Sequence, residues 1–174
     1  MLIVIQSLRE LNYSKLMSVY LQSNQANGRL LYPHEDANLQ VILAEQDFLT
    51  YLKESFFQTS GACYAIWEEN GTYLCALRLE PYLDGMLLEA LETIPSRRGE
   101  GIAKRLVHSV LTYLTESGKC IVYSHVGKKN QASLKTHFAC GFSVINDRAV
   151  YIDGSVDDRC YTLKYSIDAT DRIN

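Results

Sequence analysis

The stretch Leu88–Arg105, with the sequence LEALETIPSRRGEGIAKR, carries the pattern that decides the fold. Its apolar first part predicts a buried strand that ends at Pro95, and the residues from Glu100 onward have the spacing of an amphipathic helix. The turn that joins the strand to the helix contains Arg97, Arg98, Gly99 and Gly101. A strand, a glycine-rich turn and a helix therefore follow each other within one short segment.

This turn has the composition of an anion site. Glycines allow the main chain to approach a ligand closely, and the unpaired amides of a first helical turn point toward it. Together with the helix dipole and two arginines, they predict a site for a phosphate or a pyrophosphate. The alternative is that Gly99 and Gly101 serve only a tight turn. The phosphate loop with a Gly-Lys-Ser/Thr ending does not occur, and Ala103 does not complete a dinucleotide fingerprint.

Working outward, the chain alternates between helical and strand periodicity without repeats or linkers. The predicted elements are a strand Met1–Leu8, helices Leu11–Gln22 and Leu39–Phe57 around a polar loop Asn24–Asn38, strands Cys63–Glu68, Thr72–Glu80 and Met86–Ile94, a helix Glu100–Ser117, a strand Lys119–Val126, a helix Asn130–Cys140, and strands Phe142–Tyr151 and Arg159–Ser166. The order β-α-α-β-β-β-α-β-α-β-β predicts an α/β (α+β) fold. We expect a mixed, mostly antiparallel sheet of about seven strands, flanked by four helices, over residues 1–167, with a loose tail at 168–174.

Composition excludes several classes of function. The 174 residues include 20 acidic and 17 basic side chains, so the net charge of −3 argues against a broad nucleic-acid surface. No apolar stretch is long enough to span a membrane, and no signal peptide is apparent. Five widely spaced cysteines predict reduced thiols of a cytoplasmic protein, and their spacing predicts no metal site.

Two blocks of the sequence resemble the GCN5-related N-acetyltransferases, the GNAT family of acyl-CoA-dependent enzymes. Arg98–Ala103 (RGEGIA) matches the acetyl-CoA motif Gln/Arg-x-x-Gly-x-Gly/Ala. Asn130–Phe142 (NQASLKTHFACGF) is similar to a second family block, which starts at an Asn and ends in Gly-Phe. The blocks are separated by one strand, as the family requires, so the resemblance implies a GNAT-like fold.

The resemblance implies where acetyl-CoA binds. In this family, the strands equivalent to Met86–Ile94 and Lys119–Val126 splay apart and admit the pantetheine arm. The resemblance assigns the arm to the backbone of Leu91, Glu92 and Thr93 and to Asn130, and the pyrophosphate to the amides of Arg98, Gly99, Glu100, Gly101, Ile102, Ala103 and Lys104.

Three side chains are candidates for proton transfer. His137 stands where family members often carry a Tyr that serves the departing sulfur, and the alternative is a structural histidine. His125 corresponds to a glutamate base in some relatives, and the alternative is that it is a surface-facing residue of the strand. Glu89 is a candidate base because other relatives use a strand glutamate; alternation along the strand predicts that Glu89 and Glu92 lie on opposite faces. The resemblance also assigns the loop with His34, Glu35 and Asp36 to the acceptor pocket, although a solvated loop is the simpler interpretation.

The resemblance therefore implies an acetyl-CoA-dependent N-acetyltransferase that acts by direct transfer in a ternary complex. The acceptor would be a small-molecule or peptide amine, with no nucleic acid, membrane or metal involved, and edge-strand pairing would give a homodimer. The alternatives are a non-catalytic CoA-binding sensor or partner-binding module, motivated by His137, and a nucleotide-phosphate binder that uses the same helix end.

Overall fold

Helices and strands follow the predicted alternation along the chain. The computed structural model describes residues 1–119 and 121–166. In these residues the strands are β1 (Leu2–Ile5), β2 (Cys63–Glu69), β3 (Thr72–Tyr82), β4 (Gly85–Thr93), β5 (Ile121–Gly127), β6 (Ser143–Asn146), β7 (Ala149–Val150), β8 (Val156–Asp157) and β9 (Cys160–Ser166). The helices are α1 (Tyr13–Val19), α2 (Leu21–Leu31), α3 (Ala37–Glu54), α4 (Ile102–Glu116) and α5 (Gln131–Ala139), with single 3-10 turns at Phe56–Gln58 and Pro95–Arg97.

Seven of these strands form one sheet in the order β1-β2-β3-β4-β5-β9-β6. All neighbouring strands are antiparallel except β4 and β5, which are parallel. A parallel pair needs a crossover, and α4 supplies it between the two strands. The predicted mixed, mostly antiparallel sheet of about seven strands is therefore confirmed.

Both faces of the sheet are covered by apolar side chains. On one face, α4 packs Leu106 and Val110 against Leu88 of β4 and Val126 of β5. The other face is covered by α1, α3 and the Phe56 turn, as the second cluster shows: Leu16, Leu52, Phe56, Tyr64 and Ile66. Burial on both faces explains why the central strands read as nearly continuous apolar runs.

The second helix is a correction to the sequence prediction. Asn24–Asn38 was expected to be a loop because of its polar composition and its Asn27-Gly28 pair, yet α2 runs to Leu31 and gives the described residues five helices, not four. Gly28 lies against α3, where a Cβ would stand 2.5 Å from the Gln40 carbonyl oxygen. Gln40 Nε2 in turn donates to the carbonyl of Tyr32, just beyond the helix. Close packing of two helices has overridden weak helix propensity.

The expected strand Phe142–Tyr151 is also different in the structure. It divides into β6, which pairs antiparallel with β9, and β7, which forms a separate two-stranded hairpin with β8. The break lies where the Asn146 side chain accepts a hydrogen bond from the Arg148 amide at 3.2 Å. This local turn competes with continued strand pairing, and it folds the β7–β8 hairpin over the β5–β9 part of the sheet, where Thr162 donates to the Arg148 carbonyl.

Other sequence expectations concern the termini, the membrane and the cysteines. The tail predicted at 168–174 and Cys120 lie outside the described residues. Cys63, Cys75, Cys140 and Cys160 are free thiols. Within residues 1–119 and 121–166, every helix is too short or too polar to cross a lipid bilayer.

Candidate active site

A wedge opens between β4 and β5. The two strands pair only at Met86–Val122, Leu87–Tyr123 and Leu88–Ser124. Beyond these pairs β4 continues to Thr93 and β5 to Gly127 without contact in register, so the divergence implied by the family resemblance is present. In the described part of the chain no strand pairs with β4 along this edge, and its backbone groups there face the wedge.

A β-bulge lies on β4 at the mouth of the wedge. Ala90 has a φ of +51°, and the register with β3 shifts by one residue between Arg78–Glu89 and Ala76–Glu92. Because the bulge inserts one residue, side-chain alternation is broken there. Glu89 reaches Arg78 on the face covered by α1–α3, and Glu92 reaches Ser23 of α2 on that same face. The expectation that the two glutamates lie on opposite faces was therefore wrong.

The turn after β4 presents main-chain donors. Gly99 and Gly101 have φ values of +83° and +75°, and a Cβ built on either glycine would have no atom within 4 Å. Gly101 is the N-cap of α4, and no side chain caps this helix. The first amides of α4 therefore point into open space, as an anion-binding helix start requires.

The two arginines of the turn are held by partners in the chain. Arg97 Nε donates to both carboxylate oxygens of Glu100, at 2.9 and 2.7 Å. Arg98 turns back along β4, where Nε donates to the Thr93 carbonyl at 3.1 Å and Nη1 to Gln22 Oε1 at 2.6 Å. The main-chain amides are therefore the donors that the turn itself offers to an anion.

His125 lies on β5 inside a recess of aromatic rings. Its ring stands edge-on to Tyr82 at 5.5 Å and to Tyr151 at 4.9 Å between centroids. Both ring nitrogens are buried and have no hydrogen-bond partner among the described residues. Burial lowers the pKa of His125 below its usual 6.5, so the ring is neutral at pH 7 and can accept a proton.

Glu89 and His125 face the same recess. Burial first and then the charge of Glu89 raise the pKa of Tyr82, and Glu89 also contributes to the raised pKa of Tyr151, after larger effects of burial, Cys160 and Asp157. The charge of Glu89 thus contributes to the raised pKa of both tyrosines that flank His125. Tyr82 and Tyr151 are therefore neighbours of His125 that also interact electrostatically with Glu89.

His137 lies on the other side of the sheet, in α5, which packs on α4. It is 1% exposed, its Nδ1 contacts the Ser133 carbonyl at 2.8 Å, and its ring meets Phe142 edge-on. A carbonyl only accepts, so Nδ1 carries the proton, and Nε2 is buried without a partner among the described residues. Burial lowers the pKa of His137. These contacts favour the structural interpretation over a proton donor.

Asn130 begins α5 as its N-cap. Its side-chain oxygen accepts from the Ser133 amide at 3.1 Å, and its own amide donates to Gly127 at the end of β5. The capping bond holds the Asn130 side chain close to the end of β5, one of the two strands that border the wedge. The side-chain NH2 group remains for a ligand.

A cavity of about 440 Å³ lies between the sheet and the α2–α3 pair, on the face that carries both glutamates. Its lining includes Ala90 of the bulge, and Tyr20 donates to the Ala90 carbonyl at 2.7 Å. His34, Glu35 and Asp36 are exposed and do not line this cavity, and Asp36 instead caps α3 by accepting from Asn38 and Leu39. These positions agree with the simpler interpretation of a solvated loop.

Apart from Glu92, sequence reasoning missed the residues that line the cavity. The lining comes from parts of the chain that are distant in sequence: Tyr20, Ser23, Asn24, Asn27 and Leu31 of the α1–α2 region, Ala44, Asp47 and Phe48 of α3, Arg78 of β3, and Ala90 and Glu92 of β4. The signal available was the helical spacing of Tyr20, Ser23, Asn27 and Leu31, which the polar composition of the segment obscured.

A protein-family model described as the acetyltransferase (GNAT) family matches residues 29–142. Among curated protein sequences, none is similar enough to this chain to count as a match.

Solved structures share the fold at low sequence identity. The PaiA N-acetyltransferase of Thermoplasma acidophilum, in complex with coenzyme A, has a TM-score of 0.64 and 14% identity over 96% of this chain and 99% of its own. The ribosomal-protein-S18-alanine N-acetyltransferase of Escherichia coli has a TM-score of 0.61 and 15% identity, over 96% and 94%. YncA of Salmonella typhimurium, with its cofactor acetyl-CoA, has a TM-score of 0.55 and 14% identity, over 97% and 95%. At such identities the likeness shows the fold alone.

Proposed function

The chain belongs to the acetyltransferase (GNAT) family, and from that premise we propose that residues 1–167 transfer the acetyl group of acetyl-CoA directly to a primary amine in a ternary complex. The observation that carries the proposal is the divergence of β4 from β5 beside an uncapped helix start. This arrangement offers a slot for an extended acyl-CoA arm and main-chain donors for its diphosphate. Structural neighbours crystallised with CoA or acetyl-CoA support the same donor.

The residues that would hold the donor fit it chemically. The edge of β4 at Leu91, Glu92 and Thr93 offers backbone groups to the pantetheine amides, in the manner of an added strand. The amides of residues 98–104 would receive the pyrophosphate, since the glycines there leave the approach open. Asn130 would contact the arm from the start of α5, through the amide that its capping bond leaves over.

Acetyl transfer to an amine requires a base and a proton donor. Acetyl-CoA supplies the thioester whose carbonyl carbon is attacked. Glu89 and His125 would take the proton that the amine loses as its nitrogen bonds to that carbon, directly or through water. The carbon–sulfur bond then breaks, and the CoA thiolate leaves and takes up a proton from the protonated base or from water, which returns the base to its neutral or ionised resting form. His137 was the predicted source of that proton, and its neutral Nδ1–H is already bonded to Ser133.

Because His137 is buried, the structure also supports a second candidate function, a CoA-binding module that does not catalyse. In this alternative the wedge binds CoA as a signal, and no group serves the leaving sulfur. The same site geometry supports both functions up to the binding of CoA, so they are separated by turnover alone.

Release of free thiol from acetyl-CoA, measured across a panel of polyamines, aminoglycosides, amino acids and peptide N-termini, tests the proposed function. We expect at least one amine to accelerate thiol release and to gain the mass of one acetyl group. The controls are acetyl-CoA without acceptor and each acceptor without protein. Tight CoA binding with no acetylated product from any class would contradict the enzyme and favour the binding module.

A further inference from the structure

The cavity beside the bulge has the size of a small-molecule site. Its volume of about 440 Å³ falls within the range of roughly 300–1,000 Å³ typical of ligand pockets. Residues of α2 and α3 form one side of it, and its lining includes Ala90 of β4, whose carbonyl accepts a hydrogen bond from Tyr20. A ligand in this cavity would therefore end at the point where acetyl transfer is proposed to occur.

Glu92 forms part of the floor of the cavity. Its carboxylate accepts a hydrogen bond from Ser23, and the nearest cation is Arg98 Nη2 at 3.9 Å. Burial raises the pKa of Glu92, with Ser23 and Arg98 acting in the opposite direction. A partly desolvated carboxylate with one hydroxyl donor and a distant guanidinium is stabilised by a further cation.

Asn24 gives an independent indication that a ligand with N–H groups binds here. The side chain lines the cavity and is only 4% exposed. Its Nδ2 contacts the Met17 sulfur at 3.3 Å, which is a weak acceptor, and its Oδ1 accepts no hydrogen bond from the described residues. The amide oxygen can therefore accept a hydrogen bond from a ligand, and an ammonium or amine in the cavity would supply the donor.

The other charged residues around the cavity also favour a cationic ligand. Asp47 lies on the α3 side and accepts from Tyr32. Arg78 lines the cavity, but its charge is opposed by Glu89, 3.5 Å away, and its guanidinium stacks on the Tyr51 ring at 5.0 Å. Negative charge therefore exceeds positive charge around the cavity.

Aromatic rings complete the lining. Tyr20 and Phe48, with centroids 5.7 Å apart, are both part of it. Such rings suit the methylene groups of an alkyl chain, and their faces also attract cations.

Resting on the proposed acetyl transfer, we infer that the acceptor is a small linear diamine or longer polyamine. One amino group reacts where the cavity meets the bulge at Ala90. A second amino group remains protonated and is held by Glu92 and Asp47, with Asn24 accepting one of its N–H bonds. The apolar chain between the two groups lies against Tyr20 and Phe48.

Calorimetric titration of the CoA-saturated protein with a linear four-carbon diamine and with n-butylamine tests the inference without requiring turnover. The two probes have the same chain length and differ in the second amino group. We expect the diamine to bind at least tenfold more tightly than n-butylamine at pH 7.5. Glu92→Gln should reduce this preference to about twofold or less, and Asp47→Asn should weaken the binding of the diamine but not of n-butylamine. Glu54→Gln, at the exposed end of α3, is the matched control and should leave the preference unchanged.

Several outcomes would overturn the inference. Equal affinities for the two probes would show that the second amino group contributes nothing to binding in the cavity. Equal losses of affinity for both probes in Glu92→Gln would also exclude a diamine site. These outcomes are distinct from failure of the proposed function, in which thiol release is absent with every acceptor whatever the diamine affinity.

Discussion

Replacing Gly101 with valine is expected to weaken CoA binding about hundredfold, equivalent to about 2.7 kcal/mol. Gly101 is the N-cap of α4 at a φ of +75°, and its Cβ position faces open space beside the first amides of the helix. A β-branched side chain there would occupy the approach to those amides and disfavour the left-handed backbone that aims them. Calorimetric titration with CoA measures the effect directly.

The matched control is Gly118→Val at the other end of α4. Gly118 has a φ of +80°, and a Cβ there also meets no atom within 4 Å. The two variants should lose similar stability through backbone strain, which thermal unfolding will report. We expect Gly118→Val to bind CoA within about twofold of the unaltered protein. Unchanged CoA affinity in Gly101→Val, or equal losses in both variants, would remove the turn from the phosphate site.

Removal of the proposed bases should have the second large effect. His125→Ala and Glu89→Gln are each expected to lower kcat/KM by about hundredfold or more, within the usual contribution of general base catalysis. Because burial lowers the pKa of His125 from 6.5, its proton-accepting form is lost only below pH 6.5. The pH profile of kcat/KM should therefore rise with pH on the acidic side of 6.5, and His125→Ala should flatten that rise.

Structural damage is separated from loss of a base by two comparisons. His108→Ala removes an exposed histidine of α4 and should keep both the rate and the profile. CoA affinity, measured for each variant, should stay within about threefold, and thermal unfolding of Glu89→Gln will show the effect of leaving Arg78 without its partner. An unchanged pH profile in both His125→Ala and Glu89→Gln would exclude these side chains from the mechanism.

Most of the fold could be predicted because its determinants are local. Pro95, the glycines of the turn and the alternation of apolar residues fixed β4 and α4 to within two residues of their observed ends. One exception, α2, depends on contact between Gly28 and the backbone of Gln40, which are twelve residues apart. Composition alone favours a loop there, since only packing against α3 makes so polar a helix stable.

The candidate site was predictable only in part, for a similar reason. The backbone elements for CoA follow from motifs in a continuous segment, whereas the position of each side chain depends on the bulge at Ala90. One inserted residue moved Glu92 to the face of Glu89, which no alternation rule could anticipate. Asp47 and Asn24 line the same cavity only because α2 and α3 pack against each other.

The melting temperature of the unaltered protein, with and without saturating acetyl-CoA, tests the central claim that the wedge and the turn form an acyl-CoA site. At a ligand concentration of 100 times Kd, stabilisation of about 2.7 kcal/mol is expected. For a chain of this length it corresponds to an increase of roughly 5–11 °C. We predict this increase with acetyl-CoA and with CoA, and a much smaller one with ATP. No increase with either CoA species, or an equal increase with ATP, would contradict the account.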